Sequence, residues 1–473
     1  MLRHGINTYK DTEDVFTVQS AAVGIPFYIG AWPCHMGRGY AGKPQYVKKY
    51  GEAKDLGGYS DEWRNADGSP KWSLCQAVYA HFALMGVSPA IFYNLYNPEE
   101  HKKAVPADVF EVADYVVRLP ADAIVNDNLV VKADDTTLVK GVDYETYYQN
   151  GALYIELLDS SVSYDATVLT IGYDIADLSG ITAEDVELAV EEIEKCRSVC
   201  RVVPDLICAP GWSKNPIVAA VMAAKAPSIN TVFRAKAVVD LDTTVATDFT
   251  KVLSAKNDNG YTSEDMIVCW PMVKKGDMLF DLSVIICALI AKVDSGNGNC
   301  PYESPSNKEI PISGAVLADG TEVNLSLPDA DTVSVADGVV TAINFYGWVL
   351  WGNYLGCYPK NDHVERKFIC TNRVQDWICN TFVATYWRFV DRPITTALRD
   401  AITLSFNTWL NGLTAEHKLY GGKIEYITEL NPVTNLQDGI FRLDTTAASP
   451  VPAQQIDMHV TYSLDMLEAA MSS

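Results

Sequence analysis

Basic residues are scarce in this sequence. Lysine and arginine together number 37 against 60 aspartates and glutamates, so the formal net charge is −23. Proteins that bind nucleic acid carry an excess of Lys and Arg, because the phosphate backbone has to be neutralised. We therefore expect no direct nucleic acid partner, and we expect repulsion to keep separate copies soluble until they associate.

Long hydrophobic runs are also missing. The longest, Val23–Pro33 and Leu282–Val293, are far shorter than the roughly 18–20 residues of a membrane-spanning helix. The first stretch, MLRHGINTYKDTEDVF, has no apolar core of the kind found in secretion signals. The sequence thus predicts no membrane insertion.

Cysteine motifs are absent, although the chain has 11 cysteines. Their number is odd and they lack the tight repeats of a disulfide framework. Cys196 and Cys200 lie one helical turn apart, but no second pair completes the four ligands that zinc needs. We expect buried, reduced thiols, no metal site and no cofactor, which favours synthesis in a reducing cytoplasm.

What the sequence does contain is enough apolar material for a large core. Its 473 residues are 48% hydrophobic, which leaves room for two to four domains. Strands are predicted at Gly24–Gly30, Asp205–Gly211 and Phe233–Leu241, and helices alternate with them from Thr182 onward. One of these helices is predicted over Met278–Val293. This alternation is typical of an α/β fold with some parallel sheet. Further short strands are predicted at Val323–Leu327, Thr332–Val335, Ile424–Glu429 and Gly439–Asp444.

Residues 106–180 have a different pattern. Short strand-like alternations are separated by Asp, Asn and Gly turns, and no helix lies between them. We expect a small β-rich domain, inserted at the periphery of the α/β core. The alternative, a continuation of the main sheet, is less consistent with the missing helices.

The C-terminal half contains an aromatic run and two helical stripes. Gly338–Tyr354 is apolar and aromatic and favours a buried or edge strand. Each stripe has apolar residues at helical spacing: the first consists of Val374, Ile378, Phe382, Tyr386 and Phe389, and the second of Leu398, Ile402, Phe406, Trp409 and Leu413. Pro393 between them is placed for a first helical turn.

Several motifs resemble contractile tail sheath proteins of bacteriophages and R-type bacteriocins. They follow one another in the order of that family: Asp205–Gly211, Val238–Asp242, Ser304–Lys308, Gly338–Asn344, Gly347–Trp348, Trp351–Asn353, Trp387–Pro393, Trp409–Leu413 and Gly421–Gly422. One departure is Tyr354–Leu355, where family members often have Arg-Thr after the Trp-Gly-Asn. We interpret that pair as packing residues.

The resemblance implies a structural subunit without enzymatic activity. Many copies would stack as a helical array around a tail tube, touching neighbouring sheath subunits, the tube protein, and baseplate and tail terminator components. Contraction would drive the tube through a target cell envelope. The expected location is a phage tail or phage-tail-like particle, assembled in the bacterial cytoplasm.

The expected fold is mixed α/β and multi-domain, with an inserted β-domain and extended terminal arms. The predicted divisions are an N-terminal arm (1–20), a first core part (21–105), the inserted domain (106–180), a second α/β core part (181–335), a C-terminal inner domain (336–453) and a C-terminal strand or arm (454–473).

Both ends are predicted to form strands that pair with neighbouring subunits. Val15, Phe16 and Val18 have strong β preference. Ile456, Met458, Val460 and Tyr462 alternate like a strand with one buried face. Pairing within the same subunit is the alternative.

Five basic residues on or near the two helical stripes are candidates for the surface that faces the tube, as local exceptions in an acidic chain. They are Arg388, Arg392, Arg399, Lys418 and Lys423. Ordinary solvated or salt-bridged positions are the alternative.

Two other functions were considered from the residues. Asp240-Leu-Asp242 after an apolar strand matches the motif of haloacid-dehalogenase-type phosphotransferases, in which one carboxylate attacks phosphorus and the other moves a proton. A second acidic motif follows at Asp277–Asp281, but it is predicted to open a helix without a preceding strand, and the spacing between the motifs is short. An adhesin or baseplate component whose binding surface lies in the inserted β-domain is the other alternative.

Overall fold

The computed structural model describes residues 17–59, 63–149 and 151–472. Within them, the strands are β1 (Pro26–Gly30), β2 (Pro44–Val47), β3 (Ala90–Asn94), β4 (Lys102–Glu111), β5 (Val116–Pro120), β6 (Ala123–Ile124), β7 (Val130–Ala133), β8 (Thr136–Thr137), β9 (Tyr144–Gln149), β10 (Ala152–Leu157), β11 (Val168–Ala176), β12 (Leu206–Cys208), β13 (Lys236–Asp240), β14 (Met266–Cys269), β15 (Met272–Lys275), β16 (Met278–Phe280), β17 (Gly314–Val316), β18 (Thr341–Asn344), β19 (Trp348–Trp351), β20 (Gly421–Glu425) and β21 (Asp444–Ala448).

The helices of the same residues are α1 (Tyr50–Gly57), α2 (Ser73–Val78), α3 (Ala183–Glu191), α4 (Cys196–Val199), α5 (Pro216–Lys225), α6 (Val252–Asp258), α7 (Leu282–Gly296), α8 (Leu327–Asp331), α9 (Val364–Lys367), α10 (Ile369–Tyr386), α11 (Thr396–Ala415), α12 (Val433–Gln437) and α13 (Leu464–Met471). None of them is both long and apolar enough to cross a lipid bilayer.

A six-stranded sheet forms the centre of the molecule, with the order β14-β13-β12-β1-β3-β2. Its neighbours run parallel except for β2, which is antiparallel to β3. Successive residues face opposite sides, so Tyr28 packs with α7 while Phe27 packs with α3 and α5. Both faces are covered, which explains the nearly continuous apolar strands and confirms the α/β prediction.

The strands β4 to β11 form two antiparallel sheets of their own. One has the order β5-β10-β9, and the other has the order β4-β11-β7-β8 with β6 also paired to β11. A separate apolar core, including Leu153, Ile155 and Ile171, fills the space between them. The chain enters and leaves at adjacent positions, because Asp177 N donates to His101 O at 3.0 Å.

The helices α10 and α11 are the two predicted amphipathic helices. Their apolar stripes share a core centred on Phe406, which is completely buried. The hairpin β18–β19 lies against the central sheet, where Val340 N donates to Val268 O at 2.8 Å and Trp270 N donates to Val340 O at 2.9 Å. This hairpin therefore packs with the central sheet rather than with α10 and α11.

Two buried ion clusters fasten α10 to the central sheet. Arg373 contacts Asp205, just before β12, at 2.7 Å and Asp294 of α7 at 2.5 Å. Lys236 Nζ, at the start of β13, lies 2.6 Å from Asp376 Oδ2. These contacts fix the position of α10 relative to the amino ends of the strands.

Several local predictions were wrong. Met278–Val293 is not one helix, since β16 pairs with β15 before α7 begins at Leu282. The short strands expected around Val323–Leu327 and Thr332–Val335 are replaced from Leu327 by α8 and a π-helical turn, because Ser326 and Asp329 form a capping box.

At the C-terminal end, β20 and β21 replace the predicted strands at 424–429 and 439–444. Pro393 precedes the N-cap Thr395 and so lies outside α11. Leu464–Met471 is helical, although an extended arm was expected over all of 454–473.

Candidate assembly surfaces

The segment just before β1 lies along α10. Ala21 N donates to Thr381 Oγ1 at 3.0 Å, and Gln19 N donates to Thr385 Oγ1 at 3.1 Å. Thr385 Oγ1 in turn donates to Gln19 O, and Trp377 Nε1 donates to Ala21 O at 3.0 Å. Threonines four residues apart share one helix face, so they bind alternate residues of an extended segment.

Of the predicted N-terminal strand, the structure describes only the end that lies beside α10. Val15 and Phe16 lie outside the described residues. Val18 is partly buried against the α10–α11 core of its own chain, and Thr17–Val18 forms no strand. The described part of the predicted N-terminal arm, residues 17–20, therefore lies on its own subunit beside α10.

The predicted C-terminal strand has no partner within the described chain. Ile456, Met458, Val460 and Tyr462 expose 87%, 83%, 81% and 73% of their surface, so the expected buried face is uncovered. No backbone hydrogen bond joins residues 455–462 to the rest of the described chain. Among the described residues, the C-terminal segment therefore forms no strand pairing within its own subunit.

The small sheet β20–β21 has one edge closed and one edge open. Asn407 of α11 donates to Ile424 O at 2.8 Å and accepts from Ile424 N at 2.9 Å, which covers the outer edge of β20. Ile424 faces Thr445 in the register, so the peptide groups of Thr445 point the other way, toward the outer edge of β21. Among the described residues, nothing pairs with that edge.

The five basic candidates are placed at two different kinds of position. Three have an acidic neighbour: Arg399 lies 2.7 Å from Asp400, Lys418 lies 2.7 Å from Glu416, and Lys423 pairs with Glu425. Arg388 and Arg392 lie in the connection between α10 and α11, with their guanidinium groups 5.1 and 4.8 Å from the Phe389 ring centre.

That connection is also apolar at its surface. Trp387, Val390 and Ile394 are exposed by 61%, 59% and 41%. Exposed aromatic and aliphatic side chains beside arginines are typical of a protein interface. The connection between α10 and α11 thus combines two arginines with exposed apolar side chains and is a candidate contact surface.

The acidic motif at Asp240 is buried. Asp240 Oδ1 accepts from Ser283 N at 2.9 Å, while Oδ2 accepts from Ser283 Oγ at 2.5 Å and Ser213 Oγ at 3.1 Å. Burial and the nearby Asp281 carboxylate raise the pKa of Asp240 to about 7. Asp242 accepts from Thr244 N at 2.9 Å in a tight turn.

This geometry gives Asp240 a structural role, although a cavity of about 390 Å³ lies beside it. Its carboxylate is already engaged by three donors and holds the first turn of α7. The strand β16 does precede Asp281, so the sequence argument that this strand was missing was wrong. The described residues contain no group of three or more His, Cys, Asp or Glu side chains able to hold a metal ion.

Comparisons with known proteins were informative only at the level of structure. No family model matches the sequence, and no curated protein matches it. The chain does superpose on the contracted helical sheath of the anti-feeding prophage with a TM-score of 0.58, at 14% identity, over 98% of this chain and 100% of that one. This chain has the contractile sheath fold.

Two further solved structures share this sheath fold. A PVC sheath complex of an extracellular contractile injection system, in the contracted state, gives a TM-score of 0.58 at 10% identity, covering 98% of this chain and 99% of that one. A sheath tail protein from Desulfitobacterium hafniense gives 0.52 at 13% identity, over 89% and 93%. The fold predicted from the motif order is confirmed, and the phosphotransferase alternative gains no support.

Sequence reasoning missed two sets of side-chain hydrogen bonds that form the assembly surfaces. The docking of residues 19–21 depends on Thr381 and Thr385, whose i, i+4 spacing was visible but was outside the apolar stripe. The closed edge of β20 depends on Asn407, a polar residue on a helix with a strong apolar pattern. A search for polar residues bordering each stripe would have found both.

Proposed function

We propose that this chain is the structural subunit of a contractile sheath. It polymerises as a helical array around a tail tube and contracts to drive the tube through a target cell envelope. The observation that supports this most directly is the likeness of 98% of the chain to a sheath in its contracted state. The work of contraction would come from interface free energy stored at assembly, so it needs no cofactor or nucleotide.

The arms supply the connections in this proposal. A contracting lattice has to let subunits move while they stay joined, and backbone strand pairing through flexible arms allows this. Ile456–Tyr462 is exposed along its whole length, and the outer edge of β21 is open. A neighbour's C-terminal strand would cover its apolar side chains and satisfy that edge at the same time.

In this proposal, each domain predicted from the sequence has a separate role. The central sheet and the C-terminal helices form the array, while the β-rich insertion lies at its periphery. Arms before Thr17 and after Gln454 link neighbouring copies. The connection between α10 and α11 faces the tube, and the ends of the polymer meet the baseplate and the tail terminator.

Electron microscopy of the purified protein tests the function. The intact chain should form tubular polymers, whereas a chain without residues 1–16, or one ending at Gln454, should stay folded and fail to polymerise. Circular dichroism provides the control for folding. Intact protein that forms no tubes, alone or with a tube protein, would contradict the proposal. A sheath in which both termini pair only within their own chain would contradict the arm linkage alone.

A further inference from the structure

One side chain, that of Gln454, joins the start of the C-terminal arm to the body of the subunit. The Tyr354 hydroxyl donates to Gln454 Oε1 at 2.5 Å, and Gln454 Nε2 donates to Asn353 Oδ1 at 3.0 Å. The two partners therefore bind both ends of the same amide. Beyond Gln454, no hydrogen bond joins residues 455–463 to the body of the protein among the described residues.

The two receiving residues are rigid. Tyr354 and Asn353 expose only 5% and 6% of their surface. The Tyr354 ring stacks on Tyr358, with ring centres 3.9 Å apart, and on Phe368 at 5.3 Å. Holding Gln454 therefore orders only the glutamine side chain, which keeps the entropic cost of this contact small.

The chain around Gln454 is otherwise loose. Ala453, Gln454 and Gln455 are all exposed, and a cavity of about 850 Å³ lies between Pro452–Ile456 and residues 303–308 with Trp351. The Gln455 amide donates only to Asp457 of its own segment, at 2.9 and 3.1 Å. In the described chain, the two hydrogen bonds of the Gln454 side chain are the ones that join residues 449–456 to the body of the protein.

We propose that Asn353, Tyr354 and Gln454 form a clamp that aims the C-terminal arm at a second copy of this chain. This inference rests on the proposed function. The clamp fixes the root of residues 455–472, whose extended part, 455–463, reaches about 30 Å at roughly 3.3 Å per residue. Fixing the root raises the effective concentration of the arm at the neighbour's open sheet edge. Gln454 is thus a positioning residue and makes no contact with the neighbour itself.

The test uses full-length variants and the concentration at which polymers appear. Gln454→Ala should raise that concentration about tenfold, because a released arm samples many directions. Tyr354→Phe keeps the aromatic stack and removes only the hydroxyl, so its effect should be several-fold. Adding Tyr354→Phe to Gln454→Ala should change nothing further, since both remove the same contact. Gln455→Ala is the matched control and should match the wild type.

A second measurement on unassembled protein separates the clamp from the function. A dye on Ser463→Cys, in a Cys379→Ser background, should show faster and wider motion by time-resolved anisotropy in Gln454→Ala but not in Gln455→Ala. Polymerising protein with equal thresholds for Gln454→Ala and Gln455→Ala would overturn the clamp and leave the function standing. Wild type that does not polymerise would overturn the function, and equal anisotropy in both variants would still overturn the clamp.

Discussion

Arg373 shows how single residues join the parts of this molecule. It is buried, and it donates to Asp294 at 2.5 Å and to Asp205 at 2.7 Å. Asp205 also accepts from Ile25 N at 2.8 Å, so the same carboxylate holds the start of β1. One guanidinium thus connects α10, α7 and two strands of the central sheet.

Removing this cation leaves two buried carboxylates without a counter-charge. We expect Arg373→Ala to lower the free energy of unfolding by about 3–5 kcal/mol, the usual cost of breaking a buried ion pair. Arg399→Ala, at a surface pair, should change it by about 0.5 kcal/mol or less. Urea unfolding followed by circular dichroism measures both. Equal effects would show that the buried cluster does not join the domains.

Asp240 should make stability depend on pH. Its pKa is raised to about 7 in the folded chain by burial and by Asp281, against about 4 in the unfolded chain. The folded state therefore binds more protons between pH 4 and 7, and stability falls as pH rises through this range, by about 4 kcal/mol in order of magnitude. We expect Asp240→Asn to flatten this part of the profile.

The measurement is the thermal midpoint at pH 5 and pH 8. From pH 5 to pH 8 the thermal midpoint should fall further in the wild type than in Asp240→Asn. Asp242→Asn, in the turn two residues later, should behave like the wild type. A wild-type midpoint that rises from pH 5 to pH 8, by a change that Asp240→Asn removes, would contradict this mechanism, because the predicted change is a fall.

At the scale of elements, the inserted β-domain is the most independent unit. It has its own core, and its ends meet at the hydrogen bond between Asp177 and His101. The predicted boundary at residue 106 would cut β4 and leave residues 102–105 without their partner β11. We expect replacement of residues 102–176 by a short Gly/Ser linker to leave a folded, assembling subunit.

Circular dichroism and electron microscopy check this replacement. The matched control removes residues 106–180 instead. It should be less stable, because residues 102–105 of β4 remain and lose their partner β11. Loss of folding in the 102–176 replacement would show that the core depends on the insertion. Loss of assembly alone would place the insertion in an interface.

The helices α10 and α11 could be predicted from sequence, because two wide apolar stripes sustained over four or more turns leave few alternatives. Met278–Phe280 could not be separated from α7, since three apolar residues before a buried helix have no period of their own. The alternation Val323, Leu325, Leu327 favoured a strand, yet the local Ser326–Asp329 cap prevailed. The arm contacts depend on Gln454, Thr381 and Thr385, which carry no periodic signal.

At the scale of the whole molecule, a strongly acidic protein would need a local positive surface if the tube that it binds has a negative surface. We expect Arg392→Glu combined with Arg399→Glu to weaken association with tubes, and we expect the loss to shrink as salt screens the charges. The control is Lys195→Glu, which makes the same kind of charge change in the α/β core, at a position distant in sequence from α10 and α11. Sedimentation of sheath with tubes at low and high salt measures the effect, and unchanged retention at low salt would contradict it.

The two arm anchors on α10 have a mechanical consequence. Ile369 N, at the start of this helix, donates to Asn353 O at 2.9 Å beside the root of one arm, while Thr381 and Thr385 hold the root of the other. In the proposed polymer, tension arriving through one arm would pass along the axis of a single helix, about 27 Å long at 1.5 Å per residue, and leave through the other. The central sheet, which Arg373 and Lys236 hold against α10, would move together with this helix, while the helix hydrogen bonds aligned with the pull bear the strain.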